Sequence, residues 1–202
     1  MFVQVIQGKI SDAASASQQL QTWVDELAAG AEGWLGSTAG VTEAGDLVML
    51  ARFESEDAAQ RNSDRPEQGV WWEATSELFT GEPEFRNSTQ VDVDTPGDPD
   101  AAGFVQVMQG RTSDPARSRE LMAADPTDWS SFRPELLGTL LASHDGEEWT
   151  MAIYFTSEEE AREGERKEPP AELAEIMEEL DGLALGEPVF FDLRDPWLHS
   201  PG

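Results

Sequence analysis

The chain contains one stretch of sequence twice. Residues 2–8 read FVQVIQG and residues 104–110 read FVQVMQG, and this offset of 102 residues continues without a gap to Ala59 and Ala161. A shared GEP at 81–83 and 186–188 then lies at an offset of 105. Copies of about 90 residues are too long for a solenoid unit and have the size of a small domain. The repeat therefore predicts two domains, at residues 1–93 and 104–194, with a linker at 94–103 and a C-terminal tail at 195–202.

Each copy has the same predicted order of strands and helices. In the first copy, a strand that begins at Phe2 carries apolar residues on both faces, which is typical of a strand covered on both sides. A helix follows, with apolar residues at helical spacing: Leu20, Trp23, Val24 and Leu27. A β-hairpin spans 34–54, a second helix is interrupted at Pro66, and residues 82–93 form a last strand. In the second copy, Asp125-Pro126 breaks the first helix.

The order β-α-β-β-α-β is the ferredoxin-like arrangement. Its helices cover one face of an antiparallel sheet, so the apolar residues of the other face need a second cover. We therefore predict an α+β fold of two ferredoxin-like domains. The antiparallel sheet of one copy can stack on that of the other, which makes a pseudo-dimer within one chain and leaves a further homodimer open.

The charge of the chain excludes several classes of partner. The sequence has 41 Asp and Glu against 13 Lys and Arg, a net charge of −28 shared by both copies. Such a field repels phosphate backbones and anionic headgroups, so nucleic acid and membranes are not expected as partners. The chain has no cysteine, which excludes disulfides and thiolate chemistry. Because no basic and apolar leader is evident, we expect a cytoplasmic protein.

Three motifs carry a resemblance to a known family. They are the opening strand FVQV, the hairpin end at Phe53–Ala59 and Phe155–Ala161, and the helix start RPEQGVWW at 65–72. Together they resemble the antibiotic biosynthesis monooxygenase family of the dimeric α+β barrel superfamily. The resemblance implies that the two antiparallel sheets pack face to face as a dimeric α+β barrel within one chain, and it implies a small-molecule ligand. The family includes cofactor-independent oxygenases of aromatic polyketides and haem-degrading enzymes.

Haem is not expected here. The haem-degrading relatives take their axial histidine from the second helical region, whereas the only histidines of this chain are His144, at a hairpin turn, and His199, in the tail. We read both as surface residues. No cluster of His, Asp or Glu has a recognisable metal spacing, so neither a metal nor another cofactor is predicted.

The resemblance points to a catalytic set in the first copy. Asn62 would orient a carbonyl, Trp72 would form the wall of the pocket, and Arg86 would stabilise an anionic intermediate. Each has a structural alternative, because Asn62 can end a helix and Arg86 can lie exposed at a sheet edge. Trp71 is a candidate for substrate binding, although it shares an apolar helix face with Val70 and is expected to pack in the core.

The second copy lacks this set and offers other residues. They are Trp129, Arg133, Tyr154, Arg162 and Glu165, of which the first three are candidates for substrate binding. Two functions remain open at this point. One is a cofactor-independent monooxygenase, or a related small-molecule enzyme, acting on an aromatic, polyketide-like substrate. The alternative is a non-catalytic module that binds a small molecule or another protein.

Overall fold

The computed structural model describes Met1 to Pro201, which form ten strands and seven α-helices. The strands are β1 (Phe2–Lys9), β2 (Trp34–Val41), β3 (Asp46–Phe53), β4 (Glu84–Ser88), β5 (Gln90–Asp94), β6 (Phe104–Arg111), β7 (Leu136–Ser143), β8 (Glu148–Phe155), β9 (Val189–Leu193) and β10 (Trp197–His199). The helices are α1 (Ala13–Glu26), α2 (Glu56–Ser63), α3 (Pro66–Ser76), α4 (Pro115–Ala123), α5 (Trp129–Phe132), α6 (Glu158–Gly164) and α7 (Ala171–Leu183). None of these helices is long and apolar enough to cross a bilayer.

The strands of this described part form two five-stranded sheets. The first has the order β10-β2-β3-β1-β4 and the second the order β5-β7-β8-β6-β9. The chain divides into two compact units: the first unit is Met1–Val91 with the segment that begins at Phe191, and the second unit is Asp92–Phe190. The predicted α+β, ferredoxin-like fold is confirmed. The stacking of one sheet on the other stays a prediction.

The 102-residue offset holds in the pairing of the strands. In the first sheet, β1 pairs with β3 from Phe2–Phe53 to Lys9–Asp46. In the second, β6 pairs with β8 from Phe104–Phe155 to Arg111–Glu148. The register of each hairpin also shifts at one point, before Gly36 in β2 and before Gly138 in β7.

The predicted last strand at 82–93 is two strands, β4 and β5, which belong to different sheets. The chain turns between them at Thr89, where Ser88 Oγ donates a hydrogen bond to the Gln90 carbonyl and accepts one from the Gln90 amide, each at 3.0 Å. The predicted linker at 94–103 therefore begins with the last residue of β5. The predicted tail at 195–202 contains β10, which pairs with Ser37–Ala39 of β2.

The core confirms that the first strand is covered on both faces. Phe2 and Ile6 lie on the helix-covered face and pack with Leu20 and Trp23 of α1. On the other face of this sheet, Val3, Val5, Val48 and Leu50 are fully buried. Burial of apolar area on this scale is the main favourable term in folding.

The apolar face of α3 differs from the prediction. Val70 is 70% exposed, and the buried residues of this helix are Trp71 and Thr75. The position of Trp71 is fixed by its indole N–H, which donates to the Gln19 carbonyl of α1 at 2.8 Å. Because successive helical residues point about 100° apart, Val70 is then turned towards solvent.

Candidate functional site

Each unit contains a cavity between the helices and its own sheet. The first cavity measures about 260 Å³ and the second about 780 Å³. Ligand pockets usually measure about 300–1,000 Å³, so the second cavity has the size of a site for a drug-sized molecule and the first does not.

Four tryptophans line the cavity of the first unit: Trp23, Trp34, Trp71 and Trp72. Trp23 makes edge-to-face contacts with Trp34 and Trp71, at centroid distances of 5.1 and 6.4 Å. Their three indole N–H groups are all bound within the protein, to Gln68 Oε1 at 2.6 Å, Ser37 Oγ at 3.1 Å and the Gln19 carbonyl. These rings line the first cavity, but they are also its packed core.

The second unit has smaller side chains at the matching positions. The counterparts of Trp23 and Trp34 at the 102 offset are Asp125 and Leu136, and those of Trp71 and Trp72 at the 105 offset are Ile176 and Met177. All four of these smaller residues line the second cavity. The predicted helix break is also present, because α4 ends at Ala123 and only the single turn α5 follows. The smaller side chains and the shorter first helix of the second unit together explain its larger cavity.

The wall of the second cavity is mainly apolar. Its sheet side is formed by Leu136, Thr139, Leu141, Met151, Ile153 and Phe155, and its α7 side by Leu173, Ile176, Met177 and Leu180. The polar and charged lining residues are Asp92, Asp94, Arg119, Glu120, Asp125, Trp129, Arg133 and Thr139. Such a wall suits a large, mostly apolar ligand with a few polar groups.

Arg133 is the cation held most firmly in this cavity. Its side chain is 13% exposed and forms an ion pair with the buried Glu135. Nη2 donates to the Ala161 carbonyl at 3.1 Å, and the guanidinium lies 5.6 Å from the centre of the Phe155 ring. Nη1 makes no hydrogen bond within the part of the chain that the structure describes. That donor is therefore available to a ligand.

Gly164 makes room for this ion pair. It occupies the position of Asn62 in the first unit, and a Cβ built on it would overlap both Arg133 and Glu135. The absence of a side chain at the end of α6 thus allows an arginine to enter from the segment before β7. Sequence reasoning missed this role, although the change from Asn62 to Gly164 was visible at the 102 offset.

Trp129 is held at the cavity by two aspartates. Asp128 caps α5 by accepting from the Ser131 amide at 3.3 Å, and hydrogen bonds from the Ser130 and Ser131 hydroxyls lower the pKa of Asp128. Asp125 Oδ2 accepts the indole N–H of Trp129 at 2.8 Å. This short helical turn therefore places an aromatic ring beside the cavity.

The rim of the cavity carries a two-point ion pair. Arg119 Nε and Nη2 of α4 donate to Asp92 Oδ2 and Oδ1 of β5, both at 2.9 Å. Hydrogen bonding to Asp92 raises the pKa of Arg119. The pair joins α4 to the edge strand next to the opening.

The structure separates the predicted catalytic residues Asn62, Trp72 and Arg86, and it places Trp71, the substrate-binding candidate of the first copy, with two of them. Asn62, Trp71 and Trp72 line the first cavity, whereas Arg86 does not. The neighbouring Phe85 faces the cavity, and alternation along β4 turns Arg86 to the other face, where it pairs with Glu84 at 2.8 Å.

Two of the three substrate-binding candidates of the second copy reach the second cavity. Trp129 and Arg133 line it, whereas Tyr154 does not. Tyr154 is 2% exposed and lies between two lining residues of β8, so it points to the opposite face of the sheet. Arg162 and Glu165 also lie outside the lining and pair with each other at 2.8 Å.

The histidines are less exposed than predicted. His144 is half-buried, with Nε2 2.8 Å from Thr150 Oγ1, and His199 is half-buried within β10. Within Met1–Pro201, no three His, Asp or Glu side chains are grouped as a metal site requires.

Comparison with known proteins supports the fold. The sequence matches no family model and no curated protein. Among solved structures, two putative monooxygenases are similar to this chain. The one from Lactobacillus acidophilus NCFM has a TM-score of 0.73 at 13% sequence identity, and the match covers 98% of this chain and 99% of that protein. That of Fusobacterium nucleatum subsp. nucleatum has a TM-score of 0.74 at 11% identity, covering 100% and 94%. An anthrone oxidase-like protein has a TM-score of 0.67 at 11% identity, covering 98% and 92%. The resemblance to these monooxygenase-like proteins is thus confirmed at the level of the fold.

Proposed function

We propose that the second unit binds a flat polycyclic aromatic compound and oxygenates it with O2, without a metal or an organic cofactor. The observation that carries this proposal is the apolar cavity of about 780 Å³. A cavity of this size accepts three or four fused rings. The monooxygenase-like fold is compatible with this chemistry, but the choice of site rests on the cavity.

The aromatic side chains favour a planar ligand. Phe155 lies on the sheet side, and Trp129 lies at the α5 end of the cavity. Flat rings gain contact area and favourable edge or offset contacts with such side chains. The flexible side chains of Met151 and Met177 can adjust to substituents on the ring system.

Arg133 supplies the electrostatic part of the proposed reaction. An aromatic ketone or phenol must lose a proton before it can transfer an electron to O2, and the resulting oxyanion needs a donor. Arg133 Nη1 is such a donor, and its position is fixed by Glu135 and the Ala161 carbonyl. A donor held in place before the reaction stabilises the anion more than water does.

The proposed reaction balances without another reductant. In anthrone, the ring CH2 that lies across the central ring from the ketone reacts with one O2 to give a second C=O and one H2O. The substrate supplies all four electrons, one oxygen atom enters the ring carbon, and the other leaves as water. The protein therefore needs to bind the ligand, stabilise its anion and exclude bulk water.

The first cavity remains a candidate for a smaller ligand. Asn62 Oδ1 accepts from Arg65 Nη1 at 2.9 Å, and because a guanidinium only donates, this bond fixes which atom is the oxygen. Asn62 Nδ2 is then the donor on the cavity side, and it donates no hydrogen bond to any residue of Met1–Pro201. We retain Asn62, Trp71 and Trp72 as a binding set for a one- or two-ring carbonyl compound, without Arg86.

Oxygen uptake with anthrone tests the main proposal. We expect one O2 consumed per anthraquinone formed, no accumulation of H2O2, and no effect of a chelator. The double variant Arg133→Gln/Glu135→Gln removes the charge of both partners, so it leaves no buried charge unpaired. The double variant should still bind anthrone, while kcat falls by about 100-fold, as for the loss of one oxyanion donor.

If the wild-type protein binds anthrone without catalysed oxygen uptake, the non-catalytic alternative takes the place of the oxygenase. If it does not bind at all, the cavity is not the site.

A further inference from the structure

We propose that the ligand of the second cavity carries a positive charge: an aromatic body lies inside the cavity and a protonated amine lies at its rim. This inference rests on the binding site of the proposed function and names the class of ligand that the site selects. It follows from the charges of the lining residues and from the partners of each charge.

Both guanidiniums of the lining are already compensated. Arg119 is bound at two points by Asp92, and Arg133 is paired with Glu135. Neither offers an uncompensated charge to an anionic ligand, although Arg133 Nη1 still offers one hydrogen bond to an oxygen inside the cavity.

Three lining carboxylates remain: Asp94, Glu120 and Asp125. Glu120 contacts Arg117 at 3.3 Å, but the Arg117 guanidinium also binds Glu179 at 2.7 Å. The single positive charge of Arg117 is therefore shared between two carboxylates and compensates Glu120 only in part. Asp94 forms no ion pair within the described residues. The lining therefore carries an excess of negative charge.

Asp125 is a fixed carboxylate without a cationic partner. Oδ1 accepts from the Thr127 amide at 3.0 Å and Oδ2 from the Trp129 indole at 2.8 Å. Both donors are neutral, so they orient the carboxylate and leave its charge uncompensated. The indole beside it can also attract a cation through its face.

The charge of the whole chain acts in the same direction. A net charge of −28 raises the local concentration of cations and repels anions. The first cavity has no charged lining residue, so the charged rim is a property of the second cavity and not of the fold.

A matched set of three fluorescent probes tests this inference: 9-(aminomethyl)anthracene, 9-anthracenemethanol and anthracene-9-carboxylate. They share one ring system and differ at neutral pH in charge. At physiological salt we expect the amine to bind about fivefold more tightly than the alcohol, as for one or two partly exposed charge pairs, and the carboxylate more weakly than either. Added salt should weaken the amine and leave the alcohol unchanged.

Two pairs of substitutions locate the effect. Asp94→Asn/Asp125→Asn should remove most of the preference for the amine, since an asparagine at 125 still accepts the Trp129 N–H. The control Asp145→Asn/Glu187→Gln changes the net charge equally at exposed positions outside the lining and should keep the preference. Equal binding of the three probes, or tighter binding of the carboxylate, would overturn the inference while leaving the cavity as a binding site. Failure of all three to bind would instead refute the proposed function itself.

Discussion

Gly164 shows how a difference of one side chain between the two units changes the chemistry of a site. In the first unit the corresponding Asn62 presents an amide, whereas in the second unit the vacated space holds the ion pair of Arg133 and Glu135. The polar group at this position of the cavity is therefore a neutral amide in the first unit and a guanidinium in the second. Although Glu135 balances the charge of Arg133, a guanidinium N–H still donates a stronger, charge-assisted hydrogen bond to an anion than a neutral amide does.

Substitution of this glycine should therefore affect function more than the fold. In Gly164→Ala we expect the ion pair to be displaced, so that anthrone turnover falls by about tenfold or more, in line with the sensitivity of catalysis to small displacements. Gly182→Ala is the matched control, because Gly182 lies in α7 and has nothing within 4 Å of its Cβ position. The control should keep full turnover and gain about 0.5–1 kcal/mol of stability. Wild-type turnover in Gly164→Ala would contradict the role assigned to Arg133.

For the strands and helices, the predictions from sequence were wrong where single side-chain hydrogen bonds determine the local structure. The strands of the repeat could be predicted because Val, Ile and Phe are enriched in β-strands. The break between β4 and β5 could not be predicted in this way, because it depends on the Ser88 side chain, which bonds the backbone of Gln90, and involves neither Gly nor Pro. The exposed Val70 was misassigned for a similar reason: two adjacent apolar residues fit two helix faces, and the bond from Trp71 to Gln19 selects one.

The strand β10 gives a prediction at this scale. Trp197 packs against the core of the first unit, and β10 covers the edge of β2. Trp197→Ala should lower the free energy of unfolding by about 1–3 kcal/mol, the value for losing a partly buried aromatic side chain. Phe190→Ala, an exposed aromatic at the edge strand β9, is the control and should change stability by less than about 0.5 kcal/mol. Denaturant unfolding of both variants checks this, and equal effects would show that β10 adds nothing to the core.

For the molecule as a whole, the sequence predicted two sheets but did not predict which unit contains the larger cavity. An ungapped repeat with strand patterns indicates the fold, because periodicity directly reports which residues face a core. A cavity depends instead on the difference between available space and side-chain volume. The sequence drew attention to the tryptophans of the first copy, yet those rings fill the space that Ile176 and Met177 leave open in the second.

The predicted packing of the two sheets gives a further test. Residues 1–95 expressed alone lack β10 and expose the face that carries Val3 and Val5. The apolar area on that face is worth roughly 25 cal/mol per Å² when buried, so this fragment should form dimers or aggregates. Light scattering after size-exclusion chromatography measures its mass. A well-behaved monomer would refute the face-to-face arrangement.

The second cavity is proposed as the ligand site because the positions of four tryptophans of the first unit hold smaller side chains there: Asp125, Leu136, Ile176 and Met177. Calorimetric titration of 9-anthracenemethanol into the wild type and into Leu136→Trp/Ile176→Trp/Met177→Trp tests this claim most directly. We predict affinity at least about tenfold weaker in the triple variant, because the added indoles occupy the volume of the ligand. Leu136 also packs against Phe104 and Phe155, so the melting temperature is measured alongside to show that the variant is folded. The control Leu185→Trp, at an exposed position outside the lining, should bind like the wild type. Wild-type affinity in a folded triple variant would contradict the claim.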